Sequence, residues 1–121
     1  MIETNNLIIR KFTSNDWKDL SEILTDEKVV YYEPYDVFTV EQCKSEVINF
    51  SKSDNFYAVE LKSNSKVIGK IYFNNEHHFD TFELGYTFNA KYQGLGYAKE
   101  SSLAIMDYAF KNLNARRIVA Y

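Results

Sequence analysis

The chain has 121 residues, 45% of them apolar and 26% charged, and its 14 basic and 17 acidic residues leave a formal net charge of −3. This predicts one folded unit spanning residues 1–121, and with no long run of either sign it argues against nucleic acid or an anionic membrane as a partner. Cys43 is the only cysteine, no apolar segment approaches the roughly 18 residues of a membrane span, and the opening MIETNNLIIRKF lacks a secretory pattern, so the expectation is a soluble, cytoplasmic protein without disulfides or a cysteine-based zinc cluster.

Leu7 to Phe12, LIIRKF, reads as a short strand, and Thr13-Ser14-Asn15-Asp16 offers capping side chains for the helix that follows. There Trp17, Leu20, Ile23 and Leu24 recur at helical spacing, which leaves Lys18, Asp19 and Glu22 to solvent. Residues 29–39 hold Pro34 and several aromatics without a sustained period and read as an ordered loop. Val40, Cys43, Val47 and Phe50 then mark a second helix, with Cys43 as a small buried hydrophobe on its apolar stripe.

The period then changes. FYAVEL (56–61), VIGKIYF (67–73) and TFELGYTF (81–88) are strand-like runs joined by the turn-forming KSNSK and NNEHHFD. Connections this short cannot hold a crossover helix, so an antiparallel meander is expected. From Gly96 to about Leu113, Leu103, Met106, Phe110 and Leu113 lie along one side of a long helix, and RRIVAY (116–121) is a last strand-like run.

The turn between the meander and the long helix, NAKYQGLGYAKE (89–100), bears two glycines. Backbone N–H groups at a helix start point outward and the dipole there favours an anion, so a phosphate is the natural guest. A Walker A loop needs Lys then Ser or Thr after its last glycine, whereas Tyr97 and Ala98 follow Gly96. A dinucleotide fingerprint needs a third glycine inside a βαβ unit, and here Lys99 occupies that place after antiparallel strands.

The remaining pattern, QxxGx(G/A), is matched by Gln93-Gly94-Leu95-Gly96-Tyr97-Ala98. It resembles motif A of the GCN5-related N-acetyltransferases (GNAT), and FELGYTFNAKYQGLGYAKES is similar to that motif in their ribosomal-protein N-acetyltransferase-like branch. The order of elements agrees with that family through its fifth strand. The resemblance implies an α/β (α+β) fold with a mixed, mostly antiparallel sheet flanked by helices. It implies acetyl-CoA as cosubstrate and an amine acceptor, with no metal. It also implies that backbone groups near Phe88 bond the pantetheine arm while Gln93, Gly94, Leu95, Gly96, Tyr97 and Ala98 hold the pyrophosphate, Lys91 and Lys99 adding positive charge nearby.

Acetyl transfer requires a neutral amine, whose reference pKa is about 10.4 for a lysine-like group, so a base or water relay is useful. Alternation puts Phe82, Leu84, Tyr86 and Phe88 on one face of the strand and Glu83, Gly85 and Thr87 on the other. Glu83 is the only carboxylate inside it and is the candidate base or amine-orienting group, against the alternative of an edge or ion-paired glutamate. Tyr32, Glu33 and Tyr35 fall in the loop that helps shape the acceptor site in the resembling family. Glu76, His77, His78 and Asp80 occupy a polar connection without HExxH spacing and are not expected to bind metal.

Members of that family continue beyond the fifth strand with elements that supply an asparagine contact and often a tyrosine acid, and nothing here is assigned those roles. The chain is expected to be a fragment or a short variant, with a last strand whose exposed edge favours a homo-oligomer. A catalytically silent CoA-binding module is the rival to an active enzyme.

Overall fold

The computed structural model describes residues 1–25, 39–78, 81–113 and 115–120. Among these residues six strands form one sheet in chain order: β1 (Ile2–Glu3), β2 (Leu7–Arg10), β3 (Phe56–Leu61), β4 (Lys66–His78), β5 (Thr81–Phe88) and β6 (Arg117–Ala120). All neighbours are antiparallel except β5 and β6. Among the described residues three α-helices flank the sheet: α1 (Trp17–Leu24), α2 (Val40–Lys52) and α3 (Tyr97–Asn112).

Alternating side chains divide the interior in two. Leu7, Ile9, Val59, Ile71, Leu84 and Phe88 turn toward Ile105 and Ala109 of α3, whereas Ala58 and Val67 face Leu20, Ile23, Cys43 and Val47 of α1 and α2. Each fully buried Leu or Ile contributes about 1.5–3 kcal/mol relative to an exposed one. Helix α2 starts at a reciprocal cap in which Gln42 N–H donates to Thr39 Oγ1 at 3.1 Å and Thr39 N–H to Gln42 Oε1 at 2.8 Å. Ahead of α1, the buried Asp16 accepts from Thr13 N–H at 2.7 Å and from both ends of the Arg10 guanidinium at 2.9 and 3.0 Å.

The strand and helix succession expected from the sequence is present, with β3 and β5 at the expected bounds. Several expectations need correction. Ile2–Glu3 is a further strand, paired to Ile8 and Ile9. The polar run after Phe73 is largely strand, because β4 continues to His78 across an irregular register with β5. Val40 is exposed. Asp19 accepts the Val67 N–H at 2.9 Å and Glu22 pairs with Lys66 at 2.6 Å, so neither is simply solvated.

The largest correction concerns α3. Leu103 and Phe110, placed on its apolar stripe, are 53% and 49% exposed and Leu113 is also exposed, while the buried residues are Ser101, Ser102, Ile105 and Ala109. Small side chains on that face leave room for the sheet's Phe82, Leu84 and Phe88. Ser101 spends its hydroxyl inside the helix, on Tyr97 O at 2.9 Å and Ala98 O at 3.1 Å.

Candidate functional site

Where β5 ends, Asn89 N–H donates to Ile68 O at 2.8 Å and Asn89 Oδ1 accepts Lys91 N–H at 2.9 Å, opening a single 3-10 turn over Ala90–Tyr92. Gln93 then folds back, its Nε2 donating to Phe88 O at 3.0 Å, which closes the loop on the strand end. Gly94 and Gly96 have φ of +79° and +86°, the left-handed region that side chains with a Cβ seldom adopt. Gly96 is the residue before α3, so the reversed backbone delivers the chain directly into the helix and leaves the first N–H groups of α3 without a side-chain cap.

This turn borders a cavity of about 710 Å³ between β5 and α3. Phe88, Gln93, Gly94, Gly96, Tyr97 and Ala98, six of the predicted cofactor residues, line it together. Leu95, the seventh, is 61% exposed and does not line it. A Cβ built on Gly94 or Gly96 would meet nothing within 4 Å, so the surface there is open to a ligand. Lys99 lines the cavity and Lys91 is exposed outside its lining.

Other lining residues escaped the sequence reading: Tyr86, Tyr92, Ser102 and Met106. The cavity lies on the α3 side of β5, and the signal that could have found Ser102 and Met106 is helical spacing from Ala98, at i+4 and i+8. Ser102 is 8% exposed, and among the described residues its Oγ is the buried side-chain polar atom with no hydrogen-bond partner.

In the described register β6 pairs with Thr81 to Leu84, while β4 pairs with β5 as far as Phe88. The half of β5 from Gly85 to Phe88 thus extends beyond that register.

Glu83 does not line this cavity. It is 6% exposed and sits opposite Asn74, on the sheet face that also carries Tyr72 and Lys70 opposite Gly85 and Thr87. Asn74 Nδ2 donates to the Tyr72 hydroxyl at 3.2 Å. Tyr32, Glu33 and Tyr35 lie outside the described residues. Glu76, His77 and His78 belong to the end of β4, and Asp80 lies outside the described residues.

On the far side of the first turn of α3, Glu100 is turned away from the cavity. It accepts from Asn6 N–H at 3.1 Å, Asn6 Nδ2 at 2.9 Å and the Thr4 hydroxyl. Burial raises its carboxyl, and those hydrogen bonds, with the charge of Lys62, outweigh burial and hold it below the ordinary glutamate range. Glu100 thus stays ionised and fastens the first turn of α3 to the β1–β2 turn.

A profile of the acetyltransferase (GNAT) domain family matches residues 6–121. The chain belongs to that family. It is 40% identical over 121 residues to the Bacillus subtilis protein named uncharacterized N-acetyltransferase YnaD, covering 98% of this chain and 71% of the relative. Among solved structures, a GNAT-family acetyltransferase from Bacillus anthracis superposes with a TM-score of 0.93 at 34% identity, over 98% of this chain and 71% of that one. The ribosomal L7/L12 α-N-protein acetyltransferase RimL, solved in complex with coenzyme A, shares the fold with a TM-score of 0.75 at 19% identity, over 97% of this chain and 71% of that one. The six-stranded, mostly antiparallel sheet with flanking helices is thus the GNAT fold, and GNAT domains transfer acetyl groups from acetyl-CoA.

Proposed function

We propose that this GNAT domain, residues 1–121 acting as one unit, transfers the acetyl group of acetyl-CoA to a primary amine by direct attack in a ternary complex. The observation that supports this best is the cavity itself: two left-handed glycines and an uncapped helix start border it. The residues present fit coenzyme A. N–H groups at the start of α3 suit a pyrophosphate, and the backbone of Gly85–Phe88 suits the amides of an extended pantetheine arm. In this reading Phe88 and the segment Gln93 to Ala98 hold the cofactor, Leu95 contributing its backbone only.

The neutral amine attacks the thioester carbonyl, the C–S bond breaks, and the departing thiolate takes up a proton while the ammonium formed loses one. Glu83 is assigned as the group that orients the amine or receives its proton. It is buried opposite Asn74 of β4. Tyr32, Glu33 and Tyr35 complete the reading as acceptor contacts. A protein α-amine, a polyamine or a small amine each fits a chain of net charge −3, whereas a nucleic-acid or membrane partner does not. The same reading includes a cytoplasmic setting and self-association along β6, which size-exclusion chromatography with light scattering tests; a monomer removes it.

The alternative, coenzyme A binding without turnover, draws on the absence of Glu83 from the cavity lining. The test has two stages. Acetyl-CoA at about 100 times its Kd should stabilise the fold by about 2.7 kcal/mol, and no shift in Tm overturns both readings. Release of free thiol on adding amines then separates an enzyme from a silent binder, and full activity in Glu83→Gln removes Glu83 from its role.

A further inference from the structure

A second cavity, of about 260 Å³, lies beside the C-terminal half of α3 and shares no lining residue with the one at the glycine turn. Ile9 and Phe73 of the sheet and Ile105 of α3 form its apolar base, and Ile2 and Leu113 add to its walls. Its polar lining is Arg10, Lys11, Tyr57 and Tyr108. The described residues around it thus carry two cations and no carboxylate, in a chain of net charge −3.

The two cations are not equivalent. The Arg10 guanidinium is committed to Asp16 at 2.9 Å and to Glu60 at 3.0 Å. Lys11 donates to the Ser53 carbonyl and pairs with Asp54 at 3.0 Å, but the Asp54 side chain is 98% exposed. An ion pair that open to water is worth little, so a ligand carboxylate replaces Asp54 at small cost. Lys11 Nζ stands 6.0 Å from the centroid of the Tyr57 ring, which lines the cavity. The Tyr57 hydroxyl is already in use, donating to Asp54 O at 2.6 Å. An apolar base with a few convergent polar groups is the usual make-up of a small-molecule site, and this one has room for roughly nine methylene-sized groups. We infer that the cavity binds a small amphipathic carboxylate, its hydrocarbon on Ile9, Phe73 and Ile105 and its carboxylate on Lys11.

Octanoate is the probe, with octanol and octylamine as its neutral and cationic counterparts. Calorimetry on the full chain should give a Kd at or below about 1 mM for octanoate. Octanol should bind about three- to fivefold more weakly, and octylamine more weakly still. Lys11→Met, which keeps the stem and removes the charge, should weaken octanoate to the level of octanol and leave octanol unchanged. Lys11→Arg should restore octanoate binding. In methyl-labelled spectra Ile2 and Leu113 should shift on adding octanoate, while Met106, which lines the larger cavity, should not. Saturating coenzyme A should leave the octanoate Kd unchanged.

Absence of octanoate binding at about ten times that concentration overturns the inference. Equal affinity for all three probes also overturns it, because it marks an apolar surface that does not select charge. A shift at Met106 instead of Ile2 and Leu113, or displacement of octanoate by coenzyme A, moves the ligand to the larger cavity and removes this site. Full octanoate affinity in Lys11→Met removes the carboxylate contact and the inference with it. None of these results depends on the coenzyme A reading, which stands or falls on its own test.

Discussion

The carboxylate of Glu100 and the backbone N–H of Asn6 meet at 3.1 Å across 94 residues of sequence. With the Asn6 and Thr4 side chains on the same carboxylate, this contact fastens the first turn of α3 to the β1–β2 turn, on the side opposite the cavity. The helix end that borders the cavity is therefore held from behind. Glu100→Ala should lower stability by about 1–2 kcal/mol, since it removes charge-assisted hydrogen bonds that water replaces only in part, and Glu100→Gln should lose less. Urea unfolding of the three chains at neutral pH measures both differences.

Gly96 tests the turn. Its φ of +86° is strained for any other residue, although a Cβ there would touch nothing within 4 Å. Gly96→Ala should therefore cost about 1–2 kcal/mol through backbone conformation alone, and Gly96→Asn, which tolerates the left-handed region, should cost less. Thermal unfolding ranks the variants, and a loss that followed side-chain volume instead would point to a clash.

Gly69 is constrained for the opposite reason. Its backbone is ordinary, but a Cβ would fall 2.6 Å from the ring of Phe88. Gly69→Ala should destabilise by about 1–3 kcal/mol by overpacking. Adding Phe88→Leu should recover part of that loss, and a double-mutant cycle of unfolding free energies reads the coupling.

Asp16 gives a pH signature. Burial raises its carboxyl, but the Arg10 guanidinium and the Thr13 N–H outweigh burial and hold it below the ordinary aspartate range. A depressed folded pKa means the stabilisation is present above the unfolded pKa and is lost as pH falls through the folded one. Asp16→Asn should be less stable than the wild-type chain by about 1.5–3 kcal/mol at neutral pH, with the gap closing below the unfolded value of about 3.9. Denaturant unfolding along a pH series measures that gap directly.

Features set by local chemistry were legible in the sequence. Alternation defined β5, and glycine spacing located a turn that lies beside a cavity. The buried face of α3 was not legible because Leu103, Phe110 and Leu113 form the stronger apolar spacing, whereas close approach to an aromatic-rich sheet favours Ser101 and Ala109. Ile2–Glu3 is too short for any period to show, and its strand state comes from pairing with β2. Asp16 read as a cap, and its bond to Arg10 depends on how the strand end and the helix start meet in space. Ser102 carries no motif, and only the absence of a partner in the folded protein marks it.

The Gln93 side chain ties the glycine turn to the end of β5 through Phe88 O. Wall and turn of the cavity are therefore one piece of backbone, and solvent deuterium reads them together: filling the cavity should slow exchange at Gly94 to Ala98, while amides of α2, in the other core cluster, keep their rates.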